Sequence, residues 1–401
     1  YYDRYFYASL QPQATPSVPS FEGGTGEKKI IDKYSEYAIR SGFARFNYVY
    51  ADKYLFELNG RYDGSSKFPK DNRFGFFPSV SAGWRLGQEK FMSASKSWLD
   101  DLKLRVSYGT VGNQRIDPYQ FTPTMSVNSA GTYILDAGGK TTYITSPGLV
   151  SSSFTWEKVT TFNVGCDLYA FNNQLNATFD WYNRKTTGML AAGIEIPKVV
   201  GTTAPLQNVA DMKNQGWELS VAWRSNVGNL NYRIGLNVYD SWAEITKFNN
   251  ESRLLSDYYV GQRIGEIWGY EADGYYSIGD FDQDAARKGT WVLNKGVTRI
   301  NGYNPQPGDM KFKDLDGDGV ITAGEGTVEK AGDRKVIGNN ASRYQFGMNI
   351  GVSYKGLSLD ILLQGVGKRD YWLGGSALFP FAGVDAVSYT HLRAHETLRY
   401  L

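Results

Sequence analysis

Several things are scarce in this chain of 401 residues, and each scarcity removes a class of function. It has one cysteine, Cys166, so no internal disulfide can staple the fold. Cys166 stands between Val164 and Leu168 in an alternating apolar pattern, where a thiol serves as a small filler rather than a nucleophile or ligand. The two histidines, His391 and His395, both lie near the C-terminal end, so no Ser-His-Asp or Cys-His set can be built from the body of the chain. Carboxylates that could pair for glycoside hydrolysis, Asp273, Asp280, Asp282 and Asp284, sit in a Gly- and Tyr-rich segment where solvated loop acids are the simpler reading. We read the chain as a non-enzyme. Basic residues number 43 against 41 acidic ones, a net charge of +2 that leaves no electrostatic footprint for nucleic acid. No apolar run approaches the roughly 18 residues of a helical membrane span. A β-barrel survives that test, because alternation dilutes its hydropathy. Proline is sparse at 13, whereas glycine reaches 45 and tyrosine 29, a balance that favours many strands and turns.

What the sequence does contain is period-two alternation. Ala44, Phe46, Tyr48 and Tyr50 alternate with Arg45, Asn47 and Val49, and Tyr54, Phe56, Leu58 and Tyr62 alternate with Glu57, Asn59 and Arg61. The pattern returns at Ser79 to Arg85, Leu102 to Tyr108, Thr160 to Tyr169, Gln174 to Tyr182, Trp217 to Trp223 and Tyr232 to Val238. It is cleanest from Arg343 to Tyr354, where Tyr344, Phe346, Met348, Ile350 and Val352 face one way and Gln345, Asn349, Gly351 and Ser353 the other. Leu357, Leu359, Ile361 and Leu363 resume the apolar face after Lys355-Gly356. Such runs reach about ten residues, the length of a tilted transmembrane strand, whereas soluble strands average about five or six. Short turns at Ala51-Asp52, Asn172-Asn173, Gly228-Asn229 and Lys355-Gly356 contrast with long connections over 111–155, 185–215 and 245–340. That asymmetry suits an outer-membrane barrel with short periplasmic turns and long extracellular loops. Trp84, Tyr108, Trp181, Trp223 and Tyr354 are candidates for interfacial aromatic girdles.

One loop has metal-ligand spacing. Asp314, Asp316 and Asp318, the Val320 carbonyl, Thr322 through water and Glu325 occupy positions 1, 3, 5, 7, 9 and 12 of a calcium loop, with Gly319 at position 6. Calcium there would be structural, although the flanks resemble strands rather than EF-hand helices and Asp-Gly-Asp-Gly also makes a metal-free turn. Trp268, Tyr270, Tyr275 and Tyr276 are candidates for stacking on sugar rings, with strand-end packing as the alternative.

At these segments the chain resembles the C-terminal part of the barrel in SusC/RagA-type TonB-dependent outer-membrane transporters. The resemblance rests on Arg61 to Phe68 (RYDGSSKF), Phe77 to Arg85 (FPSVSAGWR), Leu99 to Gly109, Gly112-Asn113-Gln114, Gly261 to Tyr270 (GQRIGEIWGY), Pro307 to Gly319, Val336 to Asn339 and Gln364 to Gly367. It implies an all-β fold, part of a large antiparallel transmembrane β-barrel of the TonB-dependent receptor type with the plug domain absent. Residues 1–35 are expected as a loop or partial strand and 36–387 as the partial barrel. Residues 388–401 resemble translated adapter read-through and are expected to be a non-native tail.

The same resemblance implies a place in the cell outer membrane of a Gram-negative, Bacteroidetes-like organism. It implies TonB-energised uptake of oligosaccharides or peptides, a SusD-like surface lipoprotein as lid, and contact with TonB through a region upstream of Tyr1. Glycan or peptide substrate and outer-membrane lipid complete the expected partners, with no nucleic acid. A passive porin or structural barrel and a soluble glycan-binding β protein are the alternatives. About eleven to thirteen strands are expected, against 22 in plugged outer-membrane transporters, which leaves two unpaired edges.

Overall fold

The computed structural model describes residues 2–13, 24–125, 127–128, 143–151, 154–192, 197, 199 and 204–373. The tail from Ser388, with His391 and His395, lies outside the described residues, as does much of the loop after Asn113. The chain opens with two paired strands, β1 (Tyr2–Gln13) and β2 (Gly24–Glu36), in register from Tyr2↔Glu36 to Gln11↔Glu27 and shifted by a bulge before Gln13↔Gly24. Here the structure departs from the loop or partial strand expected over 1–35. Cross-strand contacts explain the pairing: Arg4 forks onto Asp32 at 3.0 and 2.7 Å, and the Tyr2 and Tyr34 rings meet edge to face at 5.0 Å.

The remaining strands follow in chain order. They are β3 (Ile39–Tyr50), β4 (Tyr54–Ser65), β5 (Phe74–Arg85), β6 (Leu99–Asn113), the two-residue β7 (Val127–Asn128) and β8 (Tyr143–Ile144), then β9 (Glu157–Ala170), β10 (Leu175–Ala192), β11 (Leu206–Val227) and β12 (Leu230–Lys247). Six short strands lie in one excursion: β13 (Glu266–Tyr270), β14 (Ala272–Tyr275), β15 (Arg299–Ile300), β16 (Met310–Phe312), β17 (Val320–Ile321) and β18 (Arg334–Asn339). β19 (Arg343–Tyr354) and β20 (Leu357–Lys368) complete the described chain.

The long strands hydrogen-bond in the order β3-β4-β5-β6-β9-β10-β11-β12-β19-β20, with β3 and β20 at the two edges. Most of the segment expected as a loop over 185–215 belongs to β10 and β11 instead. Alternation breaks there because Gly188, at φ 68°, kinks its strand and donates its amide to Asp211 at 2.8 Å.

By contacts the chain divides into two compact units, Tyr1–Asn173 with Asp180–Asn214, and Gln174–Phe179 with Gln215–Leu401. In the first, register turns alternation into rows across the sheet. Phe46, Leu58, Val80, Tyr108 and Phe162 align as one apolar row, and Tyr50, Tyr54, Trp84, Leu104 and Cys166 as another. Cys166 thus sits in an apolar row, as its neighbours in sequence suggested. Asn47, Glu57, Ser81, Ser107 and Asn163 form a polar row on the opposite face.

The second unit repeats this arrangement. Ile234, Ile350 and Ile361 share a row on one face, whereas Asn231, Ser353 and Ser358 share one on the other. The expected turns have the geometry that strand twist requires: Ala51 and Asp52 at φ 51° and 55°, and Lys355 and Gly356 at 46° and 88°.

One packed cluster of the first unit violates the alternation. Phe77 points to the same side as Ser79 and Ser81, yet it is buried with Phe68, Phe154 and Trp156, and Ile116, Phe121 and Leu190 pack around them. The Trp156 ring lies 4.9 Å from Phe68 and 5.3 Å from Phe77, and its indole N–H donates to the Arg73 carbonyl at 2.8 Å. Asn208 closes the site by accepting from the Thr155 amide at 2.8 Å. Gly112 makes room for it, since a Cβ there would stand 2.1 Å from Phe77. We predict that Gly112→Ala destabilises the intact barrel by about 1 to 3 kcal/mol through overpacking. Thermal unfolding checks this, and adding Phe77→Leu should recover most of the loss.

Candidate functional site

The excursion over 248–342 folds around its own core of Tyr259, Tyr276, Phe281, Ile321 and Ala331. Within it β13 pairs with β18, β14 with β16, and β15 runs parallel to β17. The candidate sugar-stacking residues separate sharply. Tyr276 is 1% exposed, donates its hydroxyl to the Thr298 carbonyl at 2.8 Å and packs against Phe281. It is a core residue and leaves the list of candidate contacts, because burial hides both faces of its ring. Trp268 donates its indole N–H to the Tyr259 hydroxyl at 3.1 Å, and that hydroxyl donates to Glu266 at 2.7 Å. Burial, with the Glu266 carboxylate beside it, pushes the Tyr259 hydroxyl up to about 12. Tyr270 tilts against Phe312 at 5.3 Å. Tyr275, 68% exposed, presents its ring to solvent.

The acidic loop converges, but not through the set that its spacing suggested. Oxygens of Asp314, Asp316 and Asp333 lie within 4.8 Å of one another. Asp314 accepts the Gly317 and Gly319 amides at 2.6 and 2.7 Å. Asp318 accepts the Val320 amide, and Thr322 Oγ1 accepts the Gly324 amide. Glu325 turns away to pair with Lys330 at 2.7 Å. The twelfth position fails because the loop leaves into β17 and a tight turn at Gly324, φ 58°, rather than into a helix. Asp333, fully buried, returns instead and accepts the Leu315 and Thr322 amides at 2.7 Å each. No spacing rule flags Asp333.

The loop's electrostatics are uneven. Backbone donation, led by Gly319, holds the Asp314 carboxyl below its usual range. For Asp316 the Asp318 amide pulls down, yet local desolvation and the charges of Asp318, Asp333 and Asp314 outweigh it and hold the carboxyl up. Nearby, Glu271 accepts from Lys313 at 2.6 Å and from Lys335, and these bonds bring its carboxyl down to about 2. Three of the four acids considered for hydrolysis are engaged by neighbours in their own segment. Asp280 accepts from Ser277, Asp282 caps the short helix α1 (Gln283–Arg287), and Asp284 faces Arg287 at 3.6 Å.

On the polar face of the first unit, charges are neutralised in the plane of the wall. Arg105 forks onto Asp167 at 2.9 and 3.1 Å and onto Asp180 at 3.0 and 2.8 Å. It can lie flat because Gly165 leaves the space, where a Cβ would stand 2.7 Å from its guanidinium carbon. In the second unit Arg233 pairs with Asp360 at 2.6 Å.

A wall of long antiparallel strands, apolar on one face and polar on the other, with a folded module on a long connection, is the architecture of a large barrel. A family model described as TonB dependent receptor-like, beta-barrel, matches residues 1–394. The chain belongs to this family. TonB-dependent receptor SusC of Bacteroides thetaiotaomicron is 33% identical over 326 residues, 79% of this chain and 31% of that protein. TonB-dependent receptor P26 of Formosa agariphila is 31% identical over 340 residues, 84% of this chain and 32% of the relative. The chain therefore spans about a third of the length of these curated relatives. Among solved structures, the RagAB peptide transporter superimposes with a TM-score of 0.68 at 25% identity, over 90% of this chain and 37% of that one.

Membership in a family of outer-membrane β-barrel receptors places the chain in the outer membrane and sets aside the soluble glycan-binding reading. It is a family of receptors rather than enzymes. In a bilayer the face carrying Ile350 meets lipid and the face carrying Asn349 meets the lumen, since only apolar rows can replace hydrocarbon contacts.

Two predictions follow from this geometry. Ile350→Arg should cost the intact barrel about 2 to 4 kcal/mol near the midplane, and Asn349→Arg much less. Denaturant unfolding from vesicles ranks them, and the reverse order would put the polar face in lipid. The second concerns pH. Glu271, with its folded-state value lowered, contributes stability that is full above its ordinary 4.5 and is lost as pH falls toward about 2. Asp316 is raised, so its contribution has the opposite sign and is lost as pH rises. In calcium-free buffer, hydrogen exchange should report slower opening of the acidic loop in Asp316→Asn at pH 7. In Glu271→Gln the acid-induced loosening between pH 4.5 and 2 should flatten.

Proposed function

We propose that this chain is barrel wall from an energised outer-membrane importer of the SusC type, which takes up oligosaccharides or peptides together with a SusD-like surface lipoprotein and draws energy from TonB. The observation that carries the proposal is the 33% identity to TonB-dependent receptor SusC across 79% of the chain. The likeness to the RagAB peptide transporter keeps peptides beside glycans as cargo. The geometry supports an importer in two further ways. The face that carries Asn163 is polar and its charges are locally neutralised, so it suits a conduit, and the long connection between β12 and β19 carries a folded module that a surface partner can contact. Of the four aromatic residues considered for substrate, Tyr275 is the most open to cargo, and the half-buried Trp268 and Tyr270 stay beside it as candidates.

The passive porin is the second reading. The full-length gene, returned to a strain deleted for it and its neighbours, should restore growth on the cognate glycan or peptide only with an intact TonB system and the lipoprotein gene. Uptake that persists without TonB would establish the porin instead.

Calcium enters the proposal as a structural ion of the acidic loop, held by Asp314, Asp316 and Asp333 with Asp318 beside them. Glu325 drops out of the set. Three carboxylates this close repel one another, and a hard divalent cation relieves that repulsion. Calorimetry on the intact transporter tests it at calcium concentrations on the order of 0.1 to 1 mM. Asp316→Ala should abolish the binding heat and Glu325→Ala should leave it. Equal heats in both variants, or none in wild type, make the loop a metal-free turn.

A further inference from the structure

The excursion over 248–342 is carried on the ends of β12 and β19, and its neck has an unusual construction. The β12–β19 ladder runs in register from Leu230↔Tyr354 to Tyr239↔Gln345. Beyond Tyr239, β12 continues with a different partner, the excursion itself. Ile264 donates to the Ala243 carbonyl at 2.9 Å, Ile245 to Gln262 at 2.9 Å and Gly261 to Ile245 at 2.8 Å, while within the excursion Asn340 donates to Gly265 at 2.8 Å. At the point of exchange stands Asp240, only 3% exposed. Both its oxygens accept from Arg343, at 2.5 Å each, and Oδ1 also accepts the Tyr344 amide at 3.3 Å. The Arg343 guanidinium also packs near the Trp242 and Tyr344 rings, at 5.5 and 5.4 Å.

Tyr344 is the residue that this arrangement distorts. Its φ is 52°, in the left-handed region that bulky side chains avoid, although it lies within β19. The ladder to β20 passes over it, from Arg343↔Lys368 directly to Gln345↔Val366. An aromatic residue stays in that conformation only where its surroundings hold it. Here the holding contacts are Asp240 on its amide and Arg343 beside its ring.

We propose that Asp240 and Arg343 form a latch at the neck of the excursion, which keeps Tyr344 in a strained conformation and fixes the angle at which the module leaves the wall. Release of the pair lets Tyr344 relax to the extended region and lets the module swing about the β12–β19 fork. The latched arrangement is the one this structure shows. Arg343 and Asp240 act as positioning residues, since neither is placed against cargo.

The test uses full-length transporter in lipid nanodiscs and reads amide exchange at Ile245, Ile264 and Asn340, with Ile350 as an internal reference. Asp240→Asn and Arg343→Lys should each speed exchange at the three neck amides by about tenfold while Ile350 is unchanged. Tyr344→Ala and Tyr344→Gly separate strain from packing, because both remove the ring and only glycine accepts a positive φ freely. Tyr344→Ala should loosen the neck and Tyr344→Gly should keep it close to wild type. Equal exchange in the alanine and glycine variants would show that no strain is held there and would overturn the proposal. So would wild-type exchange in Arg343→Lys. If the charge variants do not fold, the comparison at position 344 decides alone.

Discussion

A strand that crosses lipid has no water to satisfy its amides and carbonyls, so each must find its partner on a neighbouring strand. Most of what this structure displays follows from that constraint. Long strands such as β3, β4 and β5 hold register with little interruption over their paired lengths, because a slipped pair would leave an amide bare and would also exchange the two faces. Irregularity is pushed toward strand ends. There the turn at Ala51-Asp52 takes the mirror-image form that right-handed twist prefers, and the long connections carry short helices, a packed aromatic cluster and a folded module.

The same constraint shapes the polar face. Charges beside a low-dielectric wall are costly unless paired, and the wall meets this cost locally rather than through a distant partner. Arg105 is shared between two aspartates on β9 and β10, and Arg45 reaches Glu57 on the next strand. Glycines at these points are part of the pairing. Gly165 lets a guanidinium lie flat, and Gly351 leaves room for Arg233 to reach Asp360. A face built this way stays hydrated without a strong local field, so its character comes from hydroxyls and amides such as Ser81, Ser107 and Asn163.

Some of this was legible in the sequence because its signal is local. Alternation in Tyr344 to Tyr354 and in Ala44 to Tyr62 requires no knowledge of partners, and neither do the turns at Ala51-Asp52 and Lys355-Gly356. The ordered motifs from Arg61 to Gly367 carried the family as well. What stayed hidden depends on residues remote in the chain. Phe77 has the parity of a lumen-facing residue, and nothing near it in sequence announces that Phe68, Phe154 and Trp156 come to cover it. Asp333 replaces Glu325 because the loop exits into a strand and the chain doubles back, a change of direction that ligand spacing cannot encode. Tyr275 and Tyr276 are adjacent and chemically alike, yet one is open and the other enclosed; alternation distinguishes their sides without saying which side becomes a core. The opening pair of strands reads only as a loop or partial strand for a related reason, since Arg4 and Asp32 are remote in the chain and no alternation announces that they meet.

The wall and the excursion obey different rules, and the neck is where they must be reconciled. The wall draws its rigidity from a ladder whose partners continue on both sides, whereas the excursion draws its own from a small core around Tyr276, Phe281 and Ile321. A strand can serve both only by changing partners along its length, as β12 does after Tyr239. Any such exchange leaves amides and carbonyls that neither ladder claims. A carboxylate suits the gap, because Asp240 accepts from a backbone amide on one side and takes a guanidinium as counter-charge on the other. Asn could accept the amide but would offer Arg343 no charge. The chemistry at this fork is thus fixed by the need to end one ladder and begin another inside a single strand.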